Sequence, residues 1–285
     1  MLGIPYRILR TGMATRKGNF MSGSLGKISF RVVRGEQVMQ SKPGKGRVRQ
    51  TAATKTAAGI FGKASSLALS LRQGFKPLTG AHYDGLMISR FTGALKTIVN
   101  KCYDPERAAF QFNQEDFRSL EGFNFNLGSP LHKNLWKMPV TELSGDTLTL
   151  TIPAQQVPGE LIFPRGTNLC VLKVAFFCFS LTAGTGPAGP QLQETPISAG
   201  QQQLEQQRFS FVLPEGCLGV AAVSLNYYKA SGSTRTAYNH KLFHPAAICA
   251  AWYRPGDFPA ADFSSWILNP KAIFNPPELQ SLKKT

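Results

Sequence analysis

Apolar and polar positions follow three different rhythms along this chain. Near the start, Ile28, Phe30 and Val32 alternate with Ser29 and Arg31. A period of two is the mark of a half-buried strand. Arg34-Gly35-Glu36 supplies a turn, Val38 to Gln40 begin a return strand, and Pro43-Gly44 ends it. The spacing predicts a hairpin over residues 17–42. Residues 42–49 then read as a basic, glycine-rich, extended linker. From Thr51 or Thr54, either a helix N-cap, the rhythm changes to a helical one. Ile60, Ala64, Leu67 and Leu71 share one helical face, and Gly74 and Pro77 stop the pattern. A second helix is predicted from Asp84 to about Lys101, with Met87, Phe91, Leu95 and Ile98 as its stripe. Together these predict an antiparallel helix pair.

After Pro105 the short period returns. Strands are predicted near 147–152, 168–181, 207–213, 218–228 and 246–253, separated by Gly-, Pro- and Ser-rich turns. Strands at such intervals point to an antiparallel β-sandwich, Ig-like or jelly-roll-like. The predicted fold class is therefore α+β. An extended N-terminus covers 1–16, a basic hairpin and helix pair cover 17–107, and a β-sandwich with an extended tail covers 108–285. The glutamine-rich stretch 201–207 reads as a solvated connection.

Composition adds that cores can form. Hydrophobic residues make up 42% of the 285 positions and charged residues 17%, which excludes wholesale disorder. No apolar run reaches the roughly 18 residues that span a bilayer. Met1 to Gly12 lack an apolar stretch with a small-residue cleavage site, so no secretory signal is read and a cytoplasmic location is expected. Met13 precedes a basic, polar start and is read as an alternative initiation point. Cys102, Cys170, Cys178, Cys217 and Cys249 are odd in number, widely spaced and without a C-x-x-C pair. Buried free thiols are expected, not a disulfide framework or zinc site.

Charge changes the picture more. The formal net charge is +16. Residues 1–110 hold 19 Lys and Arg against four acids, and within 1–63 the only acid is Glu36. Such asymmetry points either to an anionic partner (nucleic acid, an anionic membrane surface or an acidic protein surface) or to a general solubilising charge, and nucleic acid or an acidic protein surface is the partner carried forward. Arg31, Arg34, Lys42, Lys45, Arg47, Arg49 and Lys55 are the candidate anion-binding residues. A second candidate surface is the polar hairpin tip flanked by tyrosines, with Tyr227, Tyr228, Arg235 and Tyr238 as interface residues.

The usual catalytic patterns lack parts. Gly26-Lys27 is followed by Ile28, and Met21 stands where a phosphate loop needs its first glycine. His240 and His244 have helical spacing, but no acid lies between them and Pro245 follows. No G-x-S-x-G occurs. Glu115 and Asp116 are adjacent, which suits no glycosidase pair. No enzyme activity, cofactor, metal or small-molecule substrate is expected.

One resemblance is specific to the first part of the chain. Gly23-Ser24-Leu25-Gly26-Lys27-Ile28, the return strand Gln37 to Pro43, the helix opening Thr51-Ala52-Ala53-Thr54, and Phe117-Arg118-Ser119-Leu120-Glu121-Gly122 carry it. They resemble an uncharacterised Bacteroidota family of unknown function. The match runs over residues 17–130; Gln40 departs from the family's arginine, and 182–207 is an insertion. The resemblance implies a layout of basic hairpin, helix pair and β-sandwich, and no activity. The functional expectation is a non-enzymatic assembly protein. Its basic N-terminal region engages an anionic partner, and its β-sandwich makes protein contacts, including self-association. The alternative is sequence-independent nucleic-acid binding.

Overall fold

The computed structural model describes residues 14–33, 35–42 and 50–275. The chain divides into two compact units, with the boundary between Ala57 and Ala58. The first unit holds β1 (Thr15–Lys17), β2 (Phe20–Leu25), β3 (Ile28–Val33) and β4 (Glu36–Ser41). They form one antiparallel sheet in chain order. The turns are two residues long, since Lys17 pairs with Phe20, Leu25 with Ile28 and Val33 with Glu36. Such turns need positive φ, which Gly18, Gly26 and Gly35 supply at +62°, +57° and +84°. The expected hairpin is the β3–β4 pair. The β1–β2 hairpin in front of it gave no sequence signal, because Ser22, Gly23 and Ser24 interrupt any alternation.

The boundary falls within the first turns of α1 (Ala52–Gly74). Thr51 caps this helix, its Oγ1 accepting from the Thr54 amide at 3.2 Å. A short turn, α2 (Lys76–Thr79), leads to α3 (Met87–Lys101). Asp84 sits just ahead of α3, its carboxylate accepting from the Leu86 amide at 2.8 Å and pairing with Arg90 at 2.5 Å. Every stripe residue predicted for the two helices is buried.

The β-rich part follows. β5 (Tyr103–Asp104) and β6 (Ala109–Phe110) make a small pair. Then come β7 (Val140–Ser144), β8 (Thr147–Ile152), β9 (Gln155–Gln156), β10 (Leu169–Ser180), β11 (Thr185–Gly186) and β12 (Gln191–Ser198). They are succeeded by β13 (Gln203–Leu204), β14 (Gln207–Val212), β15 (Cys217–Ser231), β16 (Thr234–Ala237), β17 (Ala246–Arg254) and β18 (Ile267–Leu268).

The central sheet is built on β10 and β15, paired from Leu169 opposite Tyr228 to Ser180 opposite Cys217. β12 and β11 flank β10, and β17 and β16 flank β15. Both faces of this sheet are buried. Ala175, Phe177, Phe179, Leu218, Val220 and Ala222 point into a core shared with the two helix stripes. Leu172, Val174, Phe176, Ala221, Val223 and Leu225 point into a second core. That second core is closed by the antiparallel sheet β14–β8–β7, through Leu148, Leu150, Ile152, Phe209 and Phe211. Phe176 and Phe211 stack across it with centroids 4.9 Å apart.

A bulge in β17 keeps both faces apolar. Ala221 pairs with Ala250 and Ala222 with Ile248, so Cys249 is the extra residue. The alternation shifts there: Ala246 and Ile248 face the helix-side core, and beyond the bulge Ala251 and Tyr253 do. The unit is thus layered as helices, central sheet and second sheet. The mixed α+β class and antiparallel sheets agree with the sequence reading. The boundary expected at residue 107 does not separate two cores, because α1 and α3 share theirs with the central sheet. The expected helix pair is a layer on that sheet.

Candidate functional site

The N-terminal sheet is the part of the chain whose surface most needs explaining. Among the described residues from 14 to 42, none is buried. Its register sorts the side chains into two unlike faces. Leu25 lies opposite Ile28, Phe30 opposite Met39, and Val32 opposite Gln37. Opposite residues of an antiparallel pair share a face, so Leu25, Ile28, Phe30, Val32 and Met39 form one apolar set. Leu25 is 62% exposed and Met39 66% exposed. The other face of β3 and β4 carries Ser29, Arg31, Val33, Glu36, Val38 and Gln40.

Gln37 ties the two hairpins together. Its Oε1 accepts from the Met21 amide at 2.6 Å, and its Nε2 donates to the carbonyls of Met21 and Arg31 at 3.0 and 3.2 Å. This one side chain links β2 to β4 across β3.

The cations are exposed around this frame. Arg31 projects from β3, Lys27 sits in the β2–β3 turn, and Lys42 follows β4, while Lys55 is exposed in the first turns of α1. Among the described residues of the first unit, the acid is Glu36. Arg34, Lys45, Arg47 and Arg49 lie outside the described residues. The structure therefore brings Arg31 and Lys42 onto one sheet and sets Lys55 on a helix.

The tyrosine set of the second unit separates. Tyr227 is fully buried, its hydroxyl donating to the Ile162 carbonyl at 2.8 Å. It is a core residue and offers no surface to a partner, which corrects its reading as an interface residue. The strand alternation that turns Tyr228 outward turns Tyr227 in. Tyr228 is half-buried, Arg235 is exposed on β16, and Tyr238 is 39% exposed against the Phe243 ring.

His244 and the five cysteines of the second unit lie inside its packing. His244 is buried, its Nε2 donating to the Leu78 carbonyl at 3.0 Å while Nδ1 accepts from Asn239 Nδ2 at 2.9 Å. Burial pushes its pKa down to about 4. The same asparagine accepts from the Tyr227 amide at 2.6 Å. This knot joins α2, β15 and the 239–244 loop, and nothing in the sequence marked His244 apart from His240, which is exposed. All five cysteines are free and buried. Burial pushes Cys102, Cys178 and Cys249 up to about 12 and raises Cys170 and Cys217 as well.

Among the described residues, no group of three or more His, Cys, Asp or Glu side chains is placed to hold a metal ion. A depression of about 270 Å³ lies between the Leu69–Gln73 stretch of α1 and the Ile267–Leu268 strand, and no charged side chain lines it. No helix among the described residues is long and apolar enough to cross a membrane. No family model matches the chain, and neither a curated protein nor a solved structure matches it.

Proposed function

We propose that this chain is a non-enzymatic assembly protein whose basic N-terminal sheet and following linker engage an anionic partner, while the β-rich unit carries further protein contacts. One observation supports this most: a four-stranded sheet with no buried residue among those described, exposing apolar side chains on one face and ringed by cations. Few strands without a covered face are marginally stable alone, and exposed apolar surface of this kind marks contact sites. The cations Lys27, Arg31 and Lys42, continued by Lys45, Arg47 and Arg49 in sequence, give the surface its sign.

The second reading is sequence-independent binding of nucleic acid. The cations favour phosphate contacts, and the sheet's aromatic residues, Phe20 and Phe30, are only half-exposed, which favours backbone contact over base stacking.

Fluorescence anisotropy with labelled DNA, labelled RNA and an acidic polypeptide, over a salt series, tests both. The full chain is compared with residues 50–285, which keep α1 and both cores. Salt-sensitive binding lost on truncation supports an anionic partner, and its preference among the probes names the class. Equal behaviour of the two chains, or binding to none of the probes, would remove the basic sheet from the account.

A further inference from the structure

We infer that β4 pairs edge to edge with β4 of a second copy, making one continuous eight-stranded sheet. This deepens the assembly reading and rests on it.

The backbone geometry comes first. The Lys42 amide donates to the Lys27 carbonyl at 2.6 Å. In an antiparallel ladder, successive residues point both backbone groups alternately to one neighbour and to the other. Positions 36, 38, 40 and 42 therefore face β3, and Gln37, Met39 and Ser41 present N–H and C=O outward. β4 is the edge of its sheet, and these three residues are exposed. Among the described residues, none of the three amides has a backbone partner across that edge.

This edge also lacks the usual guards. From Gln37 to Ser41 it holds no charge and no proline. β12 of the second unit is the contrast: it contains Pro196, which has no N–H to offer, and Glu194 paired with Lys173 at 2.7 Å.

Side-chain chemistry then selects the occupant and the register. Outward residues bond only to outward residues, so an antiparallel partner strand must place odd positions opposite odd positions. In a second copy this automatically brings the two apolar faces onto the same side. With Met39 opposite Met39 of the second copy, Gln37 meets its Ser41 and Glu36 meets its Lys42. Twofold symmetry places the Met39 pair on the axis and repeats the other two pairs on either side of it. The one acid of the first 63 residues thus sits opposite a lysine at both ends of the joint. The two Met39 side chains bridge the apolar sets, and the opposite face gathers both copies' Arg31, doubling the cations offered to an anionic partner.

Charge exchange tests this directly. Positions 36 and 42 stand at opposite ends of one strand, roughly 20 Å apart, so they cannot compensate each other within one copy. Sedimentation velocity of the full chain, from about 1 to about 200 µM, should show reversible dimerisation. Glu36→Lys and Lys42→Glu should each weaken it by about fivefold or more, since each turns two opposite-charge pairs into like-charge pairs. The double variant E36K/K42E, with unchanged net charge, should restore it. Met39→Pro, which removes an outward N–H, should abolish it.

A wild-type chain that stays monomeric over that range overturns the inference. So does dimerisation insensitive to all three substitutions, or failure of the double exchange to rescue. A monomer that still binds polyanions in the anisotropy series leaves the proposed function standing. A β4-paired dimer that binds none does the reverse.

Discussion

The ring of Phe177 occupies the space that a side chain at Gly74 would need: a Cβ built there falls 2.5 Å from the ring's Cγ. The last turn of α1 lies this close to β10 because position 74 has no side chain. Glycine inside a helix normally weakens it, and replacing it by alanine returns up to about 1 kcal/mol. Here the obstacle is a ring wall inside a core, not the end of a flexible chain, and overpacking of this kind costs about 1–3 kcal/mol. Gly74→Ala should lower thermal stability. Gly93→Ala in α3, where nothing lies within 4 Å of the added carbon, should raise it. Equal melting shifts for the two would refute the close approach.

Protonation of His244 opposes folding. Its pKa in the folded chain is lowered to about 4, first by burial and further by His82 and Lys173, against the Leu78 carbonyl. The unfolded value is near 6.5. The unfolded chain therefore binds the extra proton between those values. The contribution is complete above pH 6.5 and is lost as pH falls from 6.5 toward 4, on the order of 3 kcal/mol in all. Urea unfolding of the wild type at pH 7.5, 6 and 5 should show that decline, and His244→Gln, less stable at pH 7.5, should show a smaller one. A wild-type stability unchanged between pH 7.5 and 5 would contradict it.

The five thiols should be silent in the folded chain. A thiol held near 12 is ionised in about one molecule in ten thousand at pH 8, and all five are also sterically covered. Titration with an aromatic disulfide reagent should find no fast-reacting cysteine in native protein and five in guanidinium. A single fast thiol in the native chain would place that cysteine outside the core.

Tyr227 and Tyr238 should separate stability from surface. Tyr227→Phe leaves the carbonyl of half-buried Ile162 without its donor and should lose about 1 kcal/mol. Tyr238→Ala, at a partly exposed ring, should be the milder change in chemical denaturation. The reverse order would mean that the hairpin tip, not the strand, carries the packing.

The helices were legible because their signal is local and periodic. Ile60, Ala64, Leu67 and Leu71 mark one face whatever they pack against, and the cap at Thr51 needs only its own neighbours. β8 was legible for the same reason, with Leu148, Leu150 and Ile152 alternating with threonines. The excess of positive charge was legible, because charge adds along a chain irrespective of fold. The apolar set on the N-terminal sheet was half legible. Ile28, Phe30 and Val32 alternate visibly, but nothing local says that the face they share stays exposed.

The chain's own order of residues determined its two long helices, the β3–β4 hairpin and the main strands of the β-rich part, and it concentrated positive charge before residue 64. Tertiary structure decided the layering. β10, β15 and β17 are apolar on both faces, so they have no period from which to assign one side to helices and the other to the second sheet. The Cys249 bulge exchanges the faces of β17 midway, a choice made by pairing with β15. Tyr227 went inward because it pairs with Cys170 of β10 and shares that residue's face, which lies in the second core. A pattern along one strand records which residues avoid water, and only the partner strands and layers decide where each of them is covered.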